Sequence, residues 1–479
     1  MTLLKNKAFI ISMILWCFIT VVRILNHIPW LDEAHAWTIS EELNLFQIID
    51  LMKIEGHTII WYVLLMHFAK LNIAYPYSMQ FLNWIFCFLT LIILWKKAPF
   101  PTYLKILITF SIPFLTVYSV YARCYSVGIM LLFLLTTYFR EKLKHPVFYS
   151  ALLVLCANTS VMALFGATAF GILFLHEIFK TKTFGKKLIL PVIILLLGGS
   201  LVLISLLGSD STAINNYKGT FIASNFTTIF QSVFSIIICG LVVGILVLFK
   251  KSKTSLFFYI FNLICLIACF TLFYSGNFWH HYFFFIYLLL CSWIACSDEK
   301  VSSKAKKIGI ILLSVLTLFN YFNFDKNFSK HYKEIFGYEN QNIYAFAINN
   351  VDFKNSPLIV DNMDYLAYII KPYGLDAINY CADKKFDYDI TNYPAENQFC
   401  YTAFKDQYNV VIDKERLDSL LNNDKSFLYS EIEPNLFDKN GELKFSTQKG
   451  NEYKIKKYKC FPYIKRERCF YEIDTIKKR

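Results

Sequence analysis

The sequence predicts a polytopic α-helical membrane protein of about eleven crossings, with juxtamembrane helices in its first external loop and a C-terminal extracytoplasmic α/β domain. Three observations predict it. Apolar windows of membrane length recur through residues 1–323 of a 479-residue chain that is 56% hydrophobic. Lys/Arg clusters fall in every second loop between those windows. From residue 324 to 479 the composition turns polar, rich in Asn, Lys, Asp and Tyr.

Runs such as LILPVIILLLGGSLVLISLLG are too long and too apolar for a soluble core, since a spanning helix needs roughly 20 such residues. The first run, AFIISMILWCFITVV, follows Lys5 and Lys7 as a signal peptide would. It lacks a small-residue cleavage site and leads directly into polar residues, which reads as a retained helix. The candidate spans are 8–28, 78–95, 103–120, 124–139, 147–158, 160–178, 187–207, 226–249, 254–275, 280–296 and 306–323. The clusters WKKAPFPTYLK, REKLKH, KTKTFGKK, KKSK and DEKVSSKAKK are cytoplasmic by the positive-inside rule, together with the N-terminus. The formal charge of +13 then reads as topology information, not as a nucleic-acid footprint.

Parity decides two segments of the first external loop. Were 59–74 a full crossing, WKKAPF would fall outside, so this short run with His67 and Lys70 reads as a helix buried in the outer interface or re-entering from it. In 34–52, Ile39, Leu43, Phe46, Ile49 and Met52 recur at helical spacing between polar residues, the pattern of one interfacial amphipathic helix. Eleven crossings place 324–479 outside the cytoplasm. There, SPLIVDNMDYLAYIIKPYGLDAINYC reads as strand 357–361, helix 363–372 and strand 376–381. No glycine-rich phosphate loop accompanies this unit, and no solenoid repeat is visible. Of thirteen cysteines, most lie singly in apolar runs, where Cys behaves as a small hydrophobe. Cys381, Cys400, Cys460 and Cys469 lie in the tail and form either disulfides, if that tail faces an oxidising compartment, or buried thiols.

The polar residues that stand out all belong to the outer face of this map. They are Asp32, Glu33 and His35 in WLDEAHAW, Glu55 and His57 in EGHTIIWY, Tyr121, Arg123 and Tyr125 in YARCY, Asn158, and His280 and His281 in FWHHYFFF. Each has a plainer explanation. An acid at a helix end caps it or is solvated, a His pair anchors an interface, an Arg snorkels, and Asn158–Ser160 breaks a helix. Their convergence on one face is what points to chemistry, because ionisable groups near membrane depth are costly.

One reaction needs this set. When a sugar carried on a lipid phosphate is handed to a hydroxyl, a carboxylate takes the acceptor's proton on the face opposite the leaving group. Arg, Lys or His takes up charge on the departing phosphate, and the anomeric carbon passes through an oxocarbenium-like state. A lipid-linked donor suits a compartment that lacks nucleotide sugars.

LDEAHAW followed some twenty residues later by EGHTIIWYVLL resembles the first external loop of the GT-C glycosyltransferases, which include the protein O-mannosyltransferases and the aminoarabinose transferases of lipid A. YARCYSVGIML is similar to their arginine at the external start of a membrane helix, and HHYFFFIYLLLCSWI to a late leucine-rich helix. The resemblance covers about residues 1–300. It implies a helical membrane core with an external C-terminal domain and inverting transfer from a polyprenyl-phosphate sugar. It also implies Asp32 as base with Glu33 beside it, and His57 and Arg123 as donor-phosphate contacts. Thr58 and Ile59 replace the family's proline pair, and His280 or His281 stands where its late arginine is expected. His35, Glu55, Tyr121, Tyr125 and Asn158 remain for the sugar or the acceptor, which is a glycan, lipid or protein. No cofactor and no metal is expected, since no third carboxylate is placed beside Asp32 and Glu33. A transporter or flippase of a lipid-linked or glycan substrate is the alternative, and an assembly protein is the plainest one. A transporter would carry ionisable or broken helices near the bilayer midplane, whereas here the polar groups collect at one interface.

Overall fold

A computed structural model describes the chain except residues 1–5, 56–57, 72, 182–184, 207–235, 273–275, 323–339, 357, 361–365, 376, 380–413, 422–424, 431–436, 464–465 and 478–479. The chain divides into two compact units, residues 1–26 with 39–328, and residues 27–38 with 329–479.

The first unit is helical. Its elements are α1 (Lys7–Leu25), the last turn (residues 39–42) of α2 (Leu31–Glu42), α3 (Leu45–Glu55), α4 (Ile60–Lys70), α5 (Tyr77–Lys97) and α6 (Thr102–Thr109). A π-helical turn (Pro113–Val117) precedes α7 (Tyr125–Tyr138), α8 (Pro146–Ala157), α9 (Val161–Thr181) and α10 (Ile189–Leu206). Then come α11 (Ile236–Leu248), α12 (Lys253–Leu272), α13 (Phe278–Ser297) and α14 (Ser303–Phe322). Every one of the eleven predicted windows contains a helix.

Among the described residues six helices are long and apolar enough to cross a membrane, and a seventh if α6 and residues 113–120, bent by 46°, make one span. This is a chain of several apolar helices compatible with a membrane protein, with fewer qualifying spans than the eleven expected. The shortfall has physical causes. The 14 residues of α7 and 12 of α8 rise about 1.5 Å each, which leaves them short of a hydrocarbon core about 30 Å thick. The described part of α11 has 13 residues, and α14 carries Lys304, Lys306 and Lys307 in its first turns. α4, at 11 residues, falls in the same short class as α8.

The single interfacial helix expected over 34–52 is two helices. Asn44 ends one and starts the next: its side-chain oxygen accepts the N–H of Phe46 at 3.0 Å and Gln47 at 3.1 Å, while Gln47 Oε1 accepts the Asn44 N–H at 2.9 Å. That reciprocal capping box outweighs the continuing apolar spacing. The second helix buries Ile48, Leu51 and Met52, and Phe46 is exposed.

The second unit contains α15 (Asn340–Asn349), α16 (Val351–Asn355), α17 (Leu366–Ile370), α18 (Lys414–Leu420) and a six-stranded sheet. The strands are β1 (Leu358–Val360), β2 (Ala377–Asn379), β3 (Lys425–Ser430), β4 (Glu442–Ser446), β5 (Glu452–Tyr463) and β6 (Arg466–Lys477), in the order β2-β1-β3-β6-β5-β4. β1 runs parallel to β2, as the βαβ reading expected, and also to β3; the remaining pairs are antiparallel. Period-two alternation gives the sheet two cores. Leu358, Val360, Phe427, Tyr429 and Phe470 pack with Ile343 and Ala347 of α15. Ile359, Leu428, Tyr471 and Ile473 pack with Leu417 and Leu420 of α18. Cys460 and Cys469 face each other across β5 and β6 and form a disulfide. Cys381 and Cys400 lie outside the described residues.

Candidate functional site

The acidic pair lies in the second unit, at the start of α2. Trp30 is the residue before the helix, and its carbonyl accepts the N–H groups of Glu33 at 2.9 Å and Ala34 at 3.0 Å. Glu33 Oε2 reaches back to the Trp30 N–H at 2.8 Å, the carboxylate half of a capping box. The same oxygen lies 2.8 Å from His27 Nε2, and both side chains are buried, Glu33 at 0% exposure. Two carboxylates in a first turn also meet the positive end of the helix dipole. Asp32 is partly exposed, and His35 is buried one turn further on. Neighbouring helical residues point roughly 100° apart, so Asp32 and Glu33 serve different directions. His27 was not among the sequence candidates; the six-residue spacing to Glu33 across Pro29 carried no periodic signal.

The cationic group lies in the first unit. There Tyr121, Arg123 and Tyr125 meet the turn that opens α13. The Arg123 guanidinium lies 5.5 Å from the centre of the Tyr125 ring and 5.9 Å from that of Trp279. Such cation–π contacts each contribute about 0.5–2 kcal/mol. Tyr121 packs against Phe278 and Trp279, and the Tyr118 hydroxyl donates to the Trp279 carbonyl at 2.8 Å.

His280 is held in one tautomer. It is the third residue of α13, and its Nδ1 accepts the Asn277 backbone N–H at 2.9 Å. A backbone N–H only donates, so a neutral ring carries its hydrogen on Nε2, which lies 2.6 Å from the Tyr125 hydroxyl oxygen. Tyr125 therefore accepts from His280, and its own hydroxyl hydrogen can be donated to a third group. The next residue, His281, meets a different ring. It packs edge-on against Phe270 of α12, ring centres 5.0 Å apart, because the helix turns it away from His280.

Asn83 fixes the Arg123 turn at both ends. Its amide donates to the Tyr118 carbonyl at 2.9 Å, and its oxygen accepts from the Ser126 hydroxyl at 2.5 Å. It is fully buried. A lone Asn inside the apolar run FLNWIF was the available signal, and sequence reading passed over it. Arg23, also unforeseen, donates to the Leu115 carbonyl at 3.1 Å and to the Thr116 hydroxyl, tying the end of α1 to the π-helical turn.

Asn158 is a framework residue. It ends α8, its amide donates to the Val154 carbonyl at 2.9 Å and the Gly198 carbonyl at 3.3 Å, and its carbonyl accepts the Ile60 N–H at 3.1 Å. Those bonds join α8, α10 and the start of α4, so the helix break suggested by the sequence is its place in the fold. His57 lies outside the described residues, and Glu55 is known only as the last residue of α3. Among the described residues no group of three His, Cys, Asp or Glu is placed to hold a metal ion.

No protein-family model, curated protein or solved structure matches the chain.

Proposed function

We propose that the protein is an inverting glycosyltransferase that moves a sugar from a polyprenyl-phosphate donor to an extracytoplasmic acceptor hydroxyl. Asp32 removes the acceptor's proton, the acceptor oxygen forms a bond to the anomeric carbon, and the bond from that carbon to the phosphate oxygen breaks. The electron pair leaves with the polyprenyl phosphate, and the proton stays on Asp32. Arg123, on its aromatic bed, and the Tyr125 hydroxyl take up charge on the departing phosphate, where charge-assisted contacts strengthen as charge develops. His280 acts through Tyr125.

The single observation that carries this reading is the division of labour in the acidic pair. Glu33 is buried and engaged with His27 and the helix start, while Asp32 beside it is partly exposed. One carboxylate holds the turn, and the other is the candidate base. In this reading the chain crosses the membrane eleven times, with the five basic clusters cytoplasmic and the C-terminal domain outside. The Cys460–Cys469 disulfide supports that sidedness, because disulfides persist in oxidising compartments.

Purified full-length protein in liposomes containing a polyprenyl-phosphate sugar tests the proposal. Time-dependent loss of lipid-linked sugar with gain of glycosylated acceptor is expected. Movement of the donor between leaflets with no new glycosidic bond would instead define a flippase.

A further inference from the structure

At the ends of the helices joined by Lys/Arg-rich loops, the first unit forms an open cleft of about 290 Å³, close to the smallest ligand sites at ~300 Å³, with Lys97, Arg140 and Glu141 exposed at it. It lies among the last turns of α5, α7 and α13 and the first turn of α12, and Arg123 and His280 do not line it. Its charges are Lys97, Arg140, Glu141 and Asp298, two of each sign. Lys97 is the last residue of α5 and Arg140 follows α7, places where the dipole favours a cation; that accounts for their sign but not for a cleft between them.

The lining carries both donors and acceptors. Lys97 and Arg140 only donate. The hydroxyls of Thr136 and Thr137 already donate to the carbonyls of Leu132 and Phe133, each at 2.9 Å, so toward the cleft they offer lone pairs. Asp298 accepts the Lys300 backbone N–H at 3.0 Å, and Glu141 is an exposed carboxylate. Trp293 forms an aromatic wall, edge-on to Phe133 at 5.8 Å. Two cations beside acceptor hydroxyls and carboxylates suit a ligand that bears a phosphate and an ammonium together. An anion alone would face both carboxylates. In a chain with several apolar helices, a membrane lipid is the natural source of such a ligand, since basic pockets between membrane helices bind lipid headgroups.

We infer that this cleft binds the headgroup of a zwitterionic phospholipid of the ethanolamine type, the phosphate on Lys97 and Arg140 and the ammonium toward Glu141 and the Thr136 and Thr137 oxygens. The site is independent of sugar transfer and stands whether or not that activity is found.

Native mass spectrometry of the full chain, with equal amounts of phosphatidylethanolamine, phosphatidylcholine and phosphatidylglycerol, tests it. Phosphatidylethanolamine is expected to be retained about tenfold better than either competitor, because a quaternary ammonium cannot donate to Glu141 and glycerol brings no positive charge. Lys97→Ala combined with Arg140→Ala, in protein that unfolds at the wild-type temperature, should lower that retention about tenfold or more. Glu141→Gln, at an exposed position, should narrow the preference over phosphatidylcholine without abolishing binding. Equal retention of the three lipids, or retention indifferent to Lys97 and Arg140, would overturn the assignment. Displacement of the lipid by water-soluble phosphoethanolamine or inorganic phosphate at matched concentration would overturn its membrane source.

Discussion

Glu33 Oε2 and His27 Nε2 lie 2.8 Å apart in a buried pair, and the same carboxylate oxygen takes the backbone N–H of Trp30. One side chain thus closes a loop and starts a helix. Glu33→Ala leaves a buried imidazole and a helix-start N–H without that acceptor. A loss on the order of 3 kcal/mol is expected, read as a fall in the thermal unfolding temperature of the purified chain. Glu33→Gln keeps an oxygen acceptor and should cost less. Asp32→Asn, at the partly exposed neighbour, should leave unfolding within about 0.5 kcal/mol of wild type.

Tyr125 and His280 are separated by 155 positions and joined by a contact of 2.6 Å. Tyr125→Phe keeps the ring under Arg123 and removes the hydroxyl. Donor affinity and single-turnover transfer are expected to fall about tenfold, the worth of one charge-assisted hydrogen bond. His280→Asn retains a side-chain oxygen able to accept the Asn277 N–H and should fold, yet resemble Tyr125→Phe in transfer. His280→Ala loses the cap as well and should be about 1 kcal/mol less stable. Full activity in His280→Asn would show that the ring holds only the helix start.

These contacts mark where sequence reading stops. The helix windows were legible because apolar runs and basic loops are local signals. The parallel β1–β2 pair was legible because both strands flank one short helix. The break at Asn44 was missed because apolar spacing continues through it, although an Asn followed three residues later by Gln is a capping signature. β5 and β6 went unread because the alternation of buried Tyr453 and Ile455 with lysines breaks at Lys457, where the ladder shifts register between Lys457 and Lys459. Of the candidate site, residue types were legible and partners were not. Tyr125 with His280, Asn83 with Ser126 and Glu33 with His27 are pairs that only the fold creates.

In the second unit, the Tyr453 hydroxyl donates to the buried Asp418 carboxylate at 2.5 Å, and Asn451 donates to the same oxygen at 2.9 Å. Burial first, and then this bond to a carboxylate, push the Tyr453 phenol up to about 12 from an ordinary 10.0. A raised value favours the neutral phenol in the folded state. Its contribution is therefore complete below about 10 and lost as pH rises through about 12. Tyr453→Phe is expected to cost about 1–2 kcal/mol near neutral pH. That difference from wild type should vanish above pH 12, as followed by thermal unfolding of the two proteins. A gap that persists there would mean the hydroxyl's ionisation is not what supports the unit.

The Cys460–Cys469 pair joins β5 to β6 with Cα atoms 4.0 Å apart. If the domain lies outside the cytoplasm, acid-quenched cells should yield protein in which neither thiol reacts with an alkylating reagent until a reductant is added. Cys460→Ser should expose Cys469 to the reagent without reduction. Two freely reacting thiols in the wild-type chain would place the domain in a reducing compartment and undo the eleven-crossing map.

The central claim, that Asp32 is the base in sugar transfer from a lipid phosphate, is tested most directly by single-turnover transfer in proteoliposomes with Asp32→Asn. The substitution preserves shape and removes proton acceptance. A positioned base contributes about 10²–10⁴-fold, so a loss in that range is expected with donor affinity unchanged, while Arg123→Ala weakens donor binding. Transfer by Asp32→Asn at the wild-type rate would contradict the account.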